Sequence, residues 1–169
     1  MRICVSGANG FLGRALCSYL SEDGHVVVRT VRSKDKEACA VGEIGPNTDW
    51  REALNGCDAV VHLAARVHVM HDKATEPMTE YRKVNVEGTR QLAQQAAQIG
   101  IKRFIFMSTI KVFGEGRDIP YGENDQAAPE DAYAASKWEA EKVLSQIARE
   151  TSMEVVVLRP PLVYGPGVK

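Results

Sequence analysis

The chain has 169 residues, 44% of them hydrophobic, enough for one domain with a sizeable core. Its 21 lysines and arginines against 22 aspartates and glutamates give a net charge of −1, which leaves no electrostatic case for nucleic-acid or membrane-surface partners. Cys4, Cys17, Cys39 and Cys57 lack the close pairing of zinc or redox sites, so no metal is expected, and Cys4 and Cys17 read as small buried apolar groups. No apolar stretch approaches the roughly 20 residues that cross a bilayer. Met1-Arg2-Ile3 enters the first strand at once, so the expectation is a cytoplasmic protein without a signal peptide.

Arg2 to Ser6, apolar-rich and bounded by glycine, predicts a buried first strand. Gly7-Ala8-Asn9-Gly10-Phe11-Leu12-Gly13 then leads into a helix, with Phe11, Leu12, Ala15, Leu16, Tyr19 and Leu20 at helical spacing. A strand, a glycine turn and a helix N-terminus in succession are the setting of a dinucleotide fingerprint. Gly7 permits a tight turn, Gly10 the approach of a pyrophosphate, and Gly13 close packing of helix on strand. The helix N-terminus offers free N–H groups and a positive dipole end to the phosphates. An ordinary glycine-rich turn is the alternative for the heptad alone.

A second strand is expected over His25 to Val31. An acid at its end would accept the adenosine ribose 2′-OH of NAD, but Val31, Arg32 and Ser33 stand there. A guanidinium grips a 2′-phosphate with two hydrogen bonds, so the expected cofactor is NADP or NAD, with NADP favoured. A solvated Arg32 is the alternative.

Asp49-Trp50-Arg51-Glu52 resembles a capping box that opens a short helix ending near Gly56. Asp58 to Ala65 reads as a buried strand followed by small residues that let a cofactor approach. Met78 to Ile99 fits a long helix closed by Gly100. Ile101 to Met107 is the next strand, ending at Ser108-Thr109. Gly114 to Pro129 reads as one long ordered loop near the site. A helix runs from about Asp131 to Glu150, and Glu154 to Arg159 is a final strand stopped by Pro160-Pro161. This alternation predicts an α/β fold, a doubly wound parallel sheet in three layers of Rossmann type.

Tyr133 and Lys137 lie four apart, on one face of their helix. A nearby ammonium lowers a tyrosine pKa from about 10, making a proton donor and acceptor near neutral pH. With the glycine run, the pair points to chemistry on a nicotinamide cofactor. His62, His68 and His71 have no carboxylate cluster beside them and read as packing or surface groups. Met70, Met78 and Trp138 read as packing, and Lys34 to Glu37 as a solvated face.

Six segments in order resemble the extended short-chain dehydrogenase/reductases, above all their nucleotide-sugar epimerases, dehydratases and 4-ketoreductases. They are Val5 to Gly13, His62-Leu63-Ala64-Ala65, Val84-Asn85-Val86-Glu87-Gly88-Thr89, Ser108-Thr109, Tyr133 with Lys137, and Arg159 to Pro166. The resemblance implies that Tyr133 is the general acid/base and that Lys137 lowers its pKa and holds the nicotinamide ribose. It also implies that Thr109 orients the substrate oxygen, with Ser108 the adjacent alternative. Expected cofactor contacts are Gly7, Asn9, Gly10, Phe11, Leu12, Gly13, Leu63, Ala64, Ala65, Tyr133, Lys137, Pro160 and Val163, beside Arg32. Glu43-Ile44 matches the family's pair at the adenine, and Asn85 a position near the nicotinamide end.

Ile110 and Lys111 replace the Asp-Glu pair of the dehydratases, which removes the acid/base pair for water elimination. Phe113 stands where a tyrosine is common and reads as packing. The expected reaction is 4-epimerisation or 4-keto reduction of a nucleotide-linked sugar. Alternatives are an NADPH-dependent reductase of a steroid- or flavonoid-like carbonyl, or a non-catalytic cofactor-sensing domain, against which the retained Tyr133 and Lys137 argue. Residues 1–169 are expected to form the cofactor domain, with most of a substrate-binding region following residue 169. The intact protein is expected to form a homodimer through its two long helices.

Overall fold

The computed structural model describes residues 1–33, 35–67, 77–116 and 118–168. Six strands form one parallel sheet: β1 (Arg2–Ser6), β2 (Val26–Val31), β3 (Cys39–Ala40), β4 (Ala59–His62), β5 (Arg103–Met107) and β6 (Glu154–Leu158). Their order across the sheet is β3-β2-β1-β4-β5-β6. Successive strands run outward from β1 to β3, and the chain then returns to build outward from β4. Ligands bind at such a reversal, beyond the carboxyl ends of the two central strands. Here those ends are Ser6 and His62, which pair in register.

Side chains alternate across a strand, so β1 feeds two cores. Ile3 and Val5 face α1 (Phe11–Glu22), packing with Cys17, Leu16 and Leu20. Cys4, Val60, Phe104 and Phe106 face the opposite layer, with Leu54 of α2 (Arg51–Leu54), Leu92 of α4 (Gly88–Gln98) and Leu144 of α5 (Ala132–Glu150). Phe104, Phe106 and Leu144 are fully buried, each contributing about 1.5–3 kcal/mol of apolar transfer. The outcome is the three-layer Rossmann arrangement expected from the alternation of elements.

The long helix over Met78 to Ile99 is built as α3 (Pro77–Tyr81), a π-helical segment Arg82–Glu87, and α4. Gly100 closes it at φ +83°. The two-residue β3 is too short to carry a period. The capping box at Asp49 does not form: α2 has no side-chain cap. The Asp49 carboxylate instead accepts from the Arg51 backbone N–H at 3.0 Å and pairs with the Arg51 guanidinium at 2.5 Å. The expected loop lies between the short 3₁₀ turn Ile110–Phe113 and α5, where the Asp131 carboxylate caps α5 through the Ala134 N–H at 2.6 Å. Phe113 packs against Tyr121, as its packing role requires.

Cys4 and Cys17 are buried as expected, and burial pushes both thiols up. Among the described residues no helix is long and apolar enough to cross a membrane. Nor does any group of three or more His, Cys, Asp or Glu stand ready to hold a metal. Lys34, His68, Met70 and His71 lie outside the described residues.

Candidate active site

The chain leaves β1 through Gly7 at φ +71°, where a Cβ would stand 2.8 Å from the Ala64 amide nitrogen. A Cβ on Gly13 would lie 2.1 Å from the Gly7 carbonyl oxygen. No side chain fits at either place, so the turn, the α1 N-terminus and the turn after β4 pack backbone to backbone. Gly10 donates to the Gly7 carbonyl at 2.9 Å and forms the N-cap of α1 with no capping side chain. The first amides of α1 are therefore presented outward, as an anion site requires.

In front of this turn lies a cavity of about 610 Å³, within the range of small-ligand sites. It gathers Gly7, Asn9, Gly10, Phe11, Leu12, Gly13, Arg32, Glu43, Ile44, Leu63, Ala64, Ala65 and Val163, all anticipated from the sequence. Thr30, Val31, Val41, Arg66, Val67 and Val84 also line it; Val31 and Val84 fall in segments the sequence singled out, though not as contacts, and Val41, Arg66 and Val67 carry no motif that would have marked them. At the β2 end, Arg32 Nη1 stands 3.9 Å from Glu43 Oε1, both side chains well exposed. The two polar residues assigned to the adenosine end thus face each other.

Asn85, Thr109, Tyr133, Lys137 and Pro160 do not line this cavity. Asn85 joins its wall indirectly. Its Oδ1 accepts from the Arg66 N–H at 2.8 Å, and its Nδ2 donates to the Arg66 carbonyl at 3.0 Å and to Ser136 Oγ at 2.9 Å. Ser136 lies between Tyr133 and Lys137, so the side chain of Asn85 ties the cavity wall to α5.

Tyr133 is half-buried, its ring edge-on to Tyr81 with centroids 6.4 Å apart. Burial raises its pKa; Asp131 adds to the rise, Lys111 opposes it, and Tyr81 adds a smaller increase. Lys137 is not among these causes in the free protein. Its Nζ sits 3.9 Å from the centroid of Phe106, only 2% exposed, and burial brings the ammonium down to about 7 against the opposing effect of Glu141. Spacing of four fixed the shared helix face but not the depth: Tyr133 stays half-buried while Lys137 reaches down onto Phe106 of β5.

The two hydroxyls after β5 separate cleanly. Ser108 Oγ donates to the buried Glu141 carboxylate, which also takes the Arg159 guanidinium at 2.6 Å. Thr109 Oγ1 accepts from the Lys111 N–H at 3.3 Å, leaving its proton for another partner. Lys111 Nζ in turn pairs with Glu115 at 2.5 Å and Asp131 at 3.2 Å, beside Tyr133. Pro160 offers its carbonyl to the Ile110 N–H at 3.0 Å, pinning this turn to the end of β6.

A doubly wound sheet with a glycine cradle at its reversal point defines a dinucleotide-binding protein of Rossmann type. The sequence model of the NAD dependent epimerase/dehydratase family matches residues 3–169, and the chain belongs to that family. It is 47% identical over 99% of its length to a UDP-glucose 4-epimerase of Vibrio cholerae, covering 53% of that protein. It is 38% identical, over 99% of its length and 52% of the relative, to a 2-alkyl-3-oxoalkanoate reductase of Stenotrophomonas maltophilia. The chain thus spans about half the length of these curated relatives. Among solved structures, MoeE5 in complex with UDP-glucose and NAD superposes with a TM-score of 0.88 at 28% identity, covering 100% of this chain and 57% of that one. A UDP-glucuronic acid 4-epimerase from Bacillus cereus in complex with NAD gives 0.85 at 27%, covering 98% and 58%.

Proposed function

We propose that the chain is the cofactor-binding and proton-transferring part of an NAD(P)-dependent enzyme that acts at C4 of a nucleotide-linked sugar. The carrying observation is the cradle of Gly7, Gly10 and Gly13, where missing side chains leave backbone amides facing a cavity whose wall is bonded through Asn85 to the helix of Tyr133. When bound, the nicotinamide supplies the acceptor and donor of hydride. The chain's own residues do the rest. The α1 N-terminus holds the pyrophosphate, and Glu43-Ile44 faces the adenine. Thr109 orients the substrate oxygen, because Ser108 is committed to Glu141.

Tyr133 exchanges the proton at that oxygen from its phenolic Oη. Burial keeps it a neutral phenol in the free protein, the form that donates a proton to a carbonyl. Lys137 meets the ribose only by leaving the Phe106 face, and its arrival beside Tyr133 would then favour the phenolate. The two long helices form the homodimer face in the intact protein. Incubation of that protein with a UDP-hexose and either dinucleotide tests the reading. C4 epimer or 4-keto sugar should form, and Tyr133→Phe should slow it by about 10²- to 10⁴-fold. An unchanged rate would transfer the role to Thr109.

NADP is favoured over NAD, because Arg32 follows β2 where an acid would accept the ribose 2′-OH. Glu43, 3.9 Å away, is the anion a 2′-phosphate must displace. A second reading, NADPH-dependent reduction of a non-sugar carbonyl, draws on Arg32 and on the likeness to the oxoalkanoate reductase. A β-keto acid assayed beside the sugar separates them.

A further inference from the structure

His62, read from sequence as a packing residue, sits at the sheet's reversal point with both ring nitrogens engaged. It is 1% exposed and stacks on Phe106 with centroids 5.8 Å apart. Its Nδ1 lies 2.5 Å from Ser6 Oγ, and its Nε2 lies 2.9 Å from Thr89 Oγ1. Thr89 gives its one hydroxyl proton to the Asn85 carbonyl at 2.7 Å. The hydrogen between Nε2 and Thr89 therefore belongs to the ring. Ser6 Oγ already accepts from the Leu63 and Ala64 amides, each at 3.2 Å, so its own proton points to Nδ1. Every donor and acceptor is assigned when the ring is neutral with hydrogen on Nε2 alone.

A proton added at Nδ1 would meet an oxygen whose lone pairs are already taken. Burial, with Lys137 the charged group facing the ring, accordingly brings the imidazole down to about 3. From Thr89 the chain of bonds continues. Asn85 holds Arg66 and Ser136, and Ser136 Oγ donates to the Tyr133 carbonyl at 2.7 Å.

We propose that His62 is a positioning residue for the dinucleotide site. As a neutral Nε2–H imidazole it orients the Ser6 hydroxyl, which clamps the Leu63–Ala64 turn against Gly7. Through Thr89 and Asn85 it ties that turn to the helix bearing Tyr133. This inference rests on the dinucleotide reading of the cavity. The turn it fixes has little slack, since the Ala64 nitrogen stands 2.8 Å from where a Gly7 Cβ would be.

Three substitutions separate the two branches. His62→Asn keeps an amide oxygen near the Nδ1 position for Ser6; His62→Gln keeps an N–H near the Nε2 position for Thr89; His62→Phe keeps the ring shape and neither bond. Calorimetric titration with NAD and NADP should show His62→Phe and His62→Gln weakened about tenfold, the effect of one unsatisfied buried group, and His62→Asn within about threefold of wild type. Melting temperatures should not rank the variants in the same order, because Asn and Gln each lose one ring bond. ¹⁵N resonances of the wild-type ring should report hydrogen on Nε2 and no titration between about pH 5 and 8. Wild-type affinity in His62→Phe, Asn and Gln weakened alike, or hydrogen on Nδ1 would each overturn the proposal. If wild type bound neither dinucleotide, the functional reading would fall with it. If wild type bound and His62→Phe bound equally well, only the role of His62 would fall.

Discussion

The two ends of this site are made of different material. The cradle between β1 and β4 is backbone against backbone, with distances that leave no room for a methyl group at Gly7 or Gly13. The end we propose for proton transfer, between β5 and α5, is made of side chains that hold one another: Ser108 and Arg159 on Glu141, Lys111 on Glu115 and Asp131, Lys137 on Phe106. A backbone cradle has one geometry and is in place before any ligand arrives. A side-chain end has alternative partners, and Lys137 in the free protein is turned inward.

That contrast can be broken first at Glu141. Its removal in Glu141→Ala strands Arg159 and Lys137 without their anion, and should cost about 3–5 kcal/mol in urea unfolding, as breaking a buried pair does. Glu141→Gln, which keeps an acceptor for Ser108, should cost less. A loss under about 1 kcal/mol would make the network a surface ornament.

Gly13→Ala probes the other end. Its Cβ meets the Gly7 oxygen at 2.1 Å and the Ala8 Cα at 2.8 Å. Backbone cannot rotate away, so overpacking should destabilise the fold by about 1–3 kcal/mol. A neutral effect would show that the cradle gives way.

The pH dependence sharpens the comparison, because each end buries one base. His62 ionises near 3 when folded and near 6.5 when unfolded. Between those values the unfolded chain binds the extra proton, so stability falls as pH drops from 6.5 to 3, by up to about 1.4 kcal/mol per unit. Lys137, near 7 when folded and 10.5 when unfolded, gives the same sign higher up: its contribution is lost as pH falls from 10.5 to 7. Urea midpoints across pH should lose the acid slope in His62→Phe and the alkaline slope in Lys137→Met. Slopes that persist would place the titrating groups elsewhere.

The smallest expected effect is at the cavity mouth. Freeing Arg32 in Glu43→Gln should favour NADP by about threefold, the size of one exposed ion pair. Tighter NAD binding instead would mean that Arg32 does not meet the phosphate.

Much of the cradle was legible because glycine spacing encodes steric exclusion, and exclusion is local. Gly7, Gly10 and Gly13, the β2 end at Arg32 and the small residues Ala64 and Ala65 converge as the sequence implied. The same logic gave α5, whose N-cap Asp131 and apolar period are both local signals. What was missed depends on partners far away in sequence. Lys137 descends because Phe106, thirty-one positions earlier, offers a ring face. His62 looked like packing because Ser6 and Thr89, which give it a role, lie on β1 and α4. Asp49 and Glu52 had capping-box spacing, but Arg51 between them captured Asp49.

Calorimetric titration of NAD and NADP into wild type, Gly10→Val and Tyr133→Phe tests the separation of cradle from proton donor most directly. Gly10 caps α1 with no side chain in the way, so a branched one should weaken binding by more than about 100-fold by filling the anion site. Tyr133 lies outside the cavity wall, so its loss should leave affinity within about threefold, the scale of a modest hydrogen bond. Unaltered binding in Gly10→Val, or binding abolished in Tyr133→Phe, would contradict it.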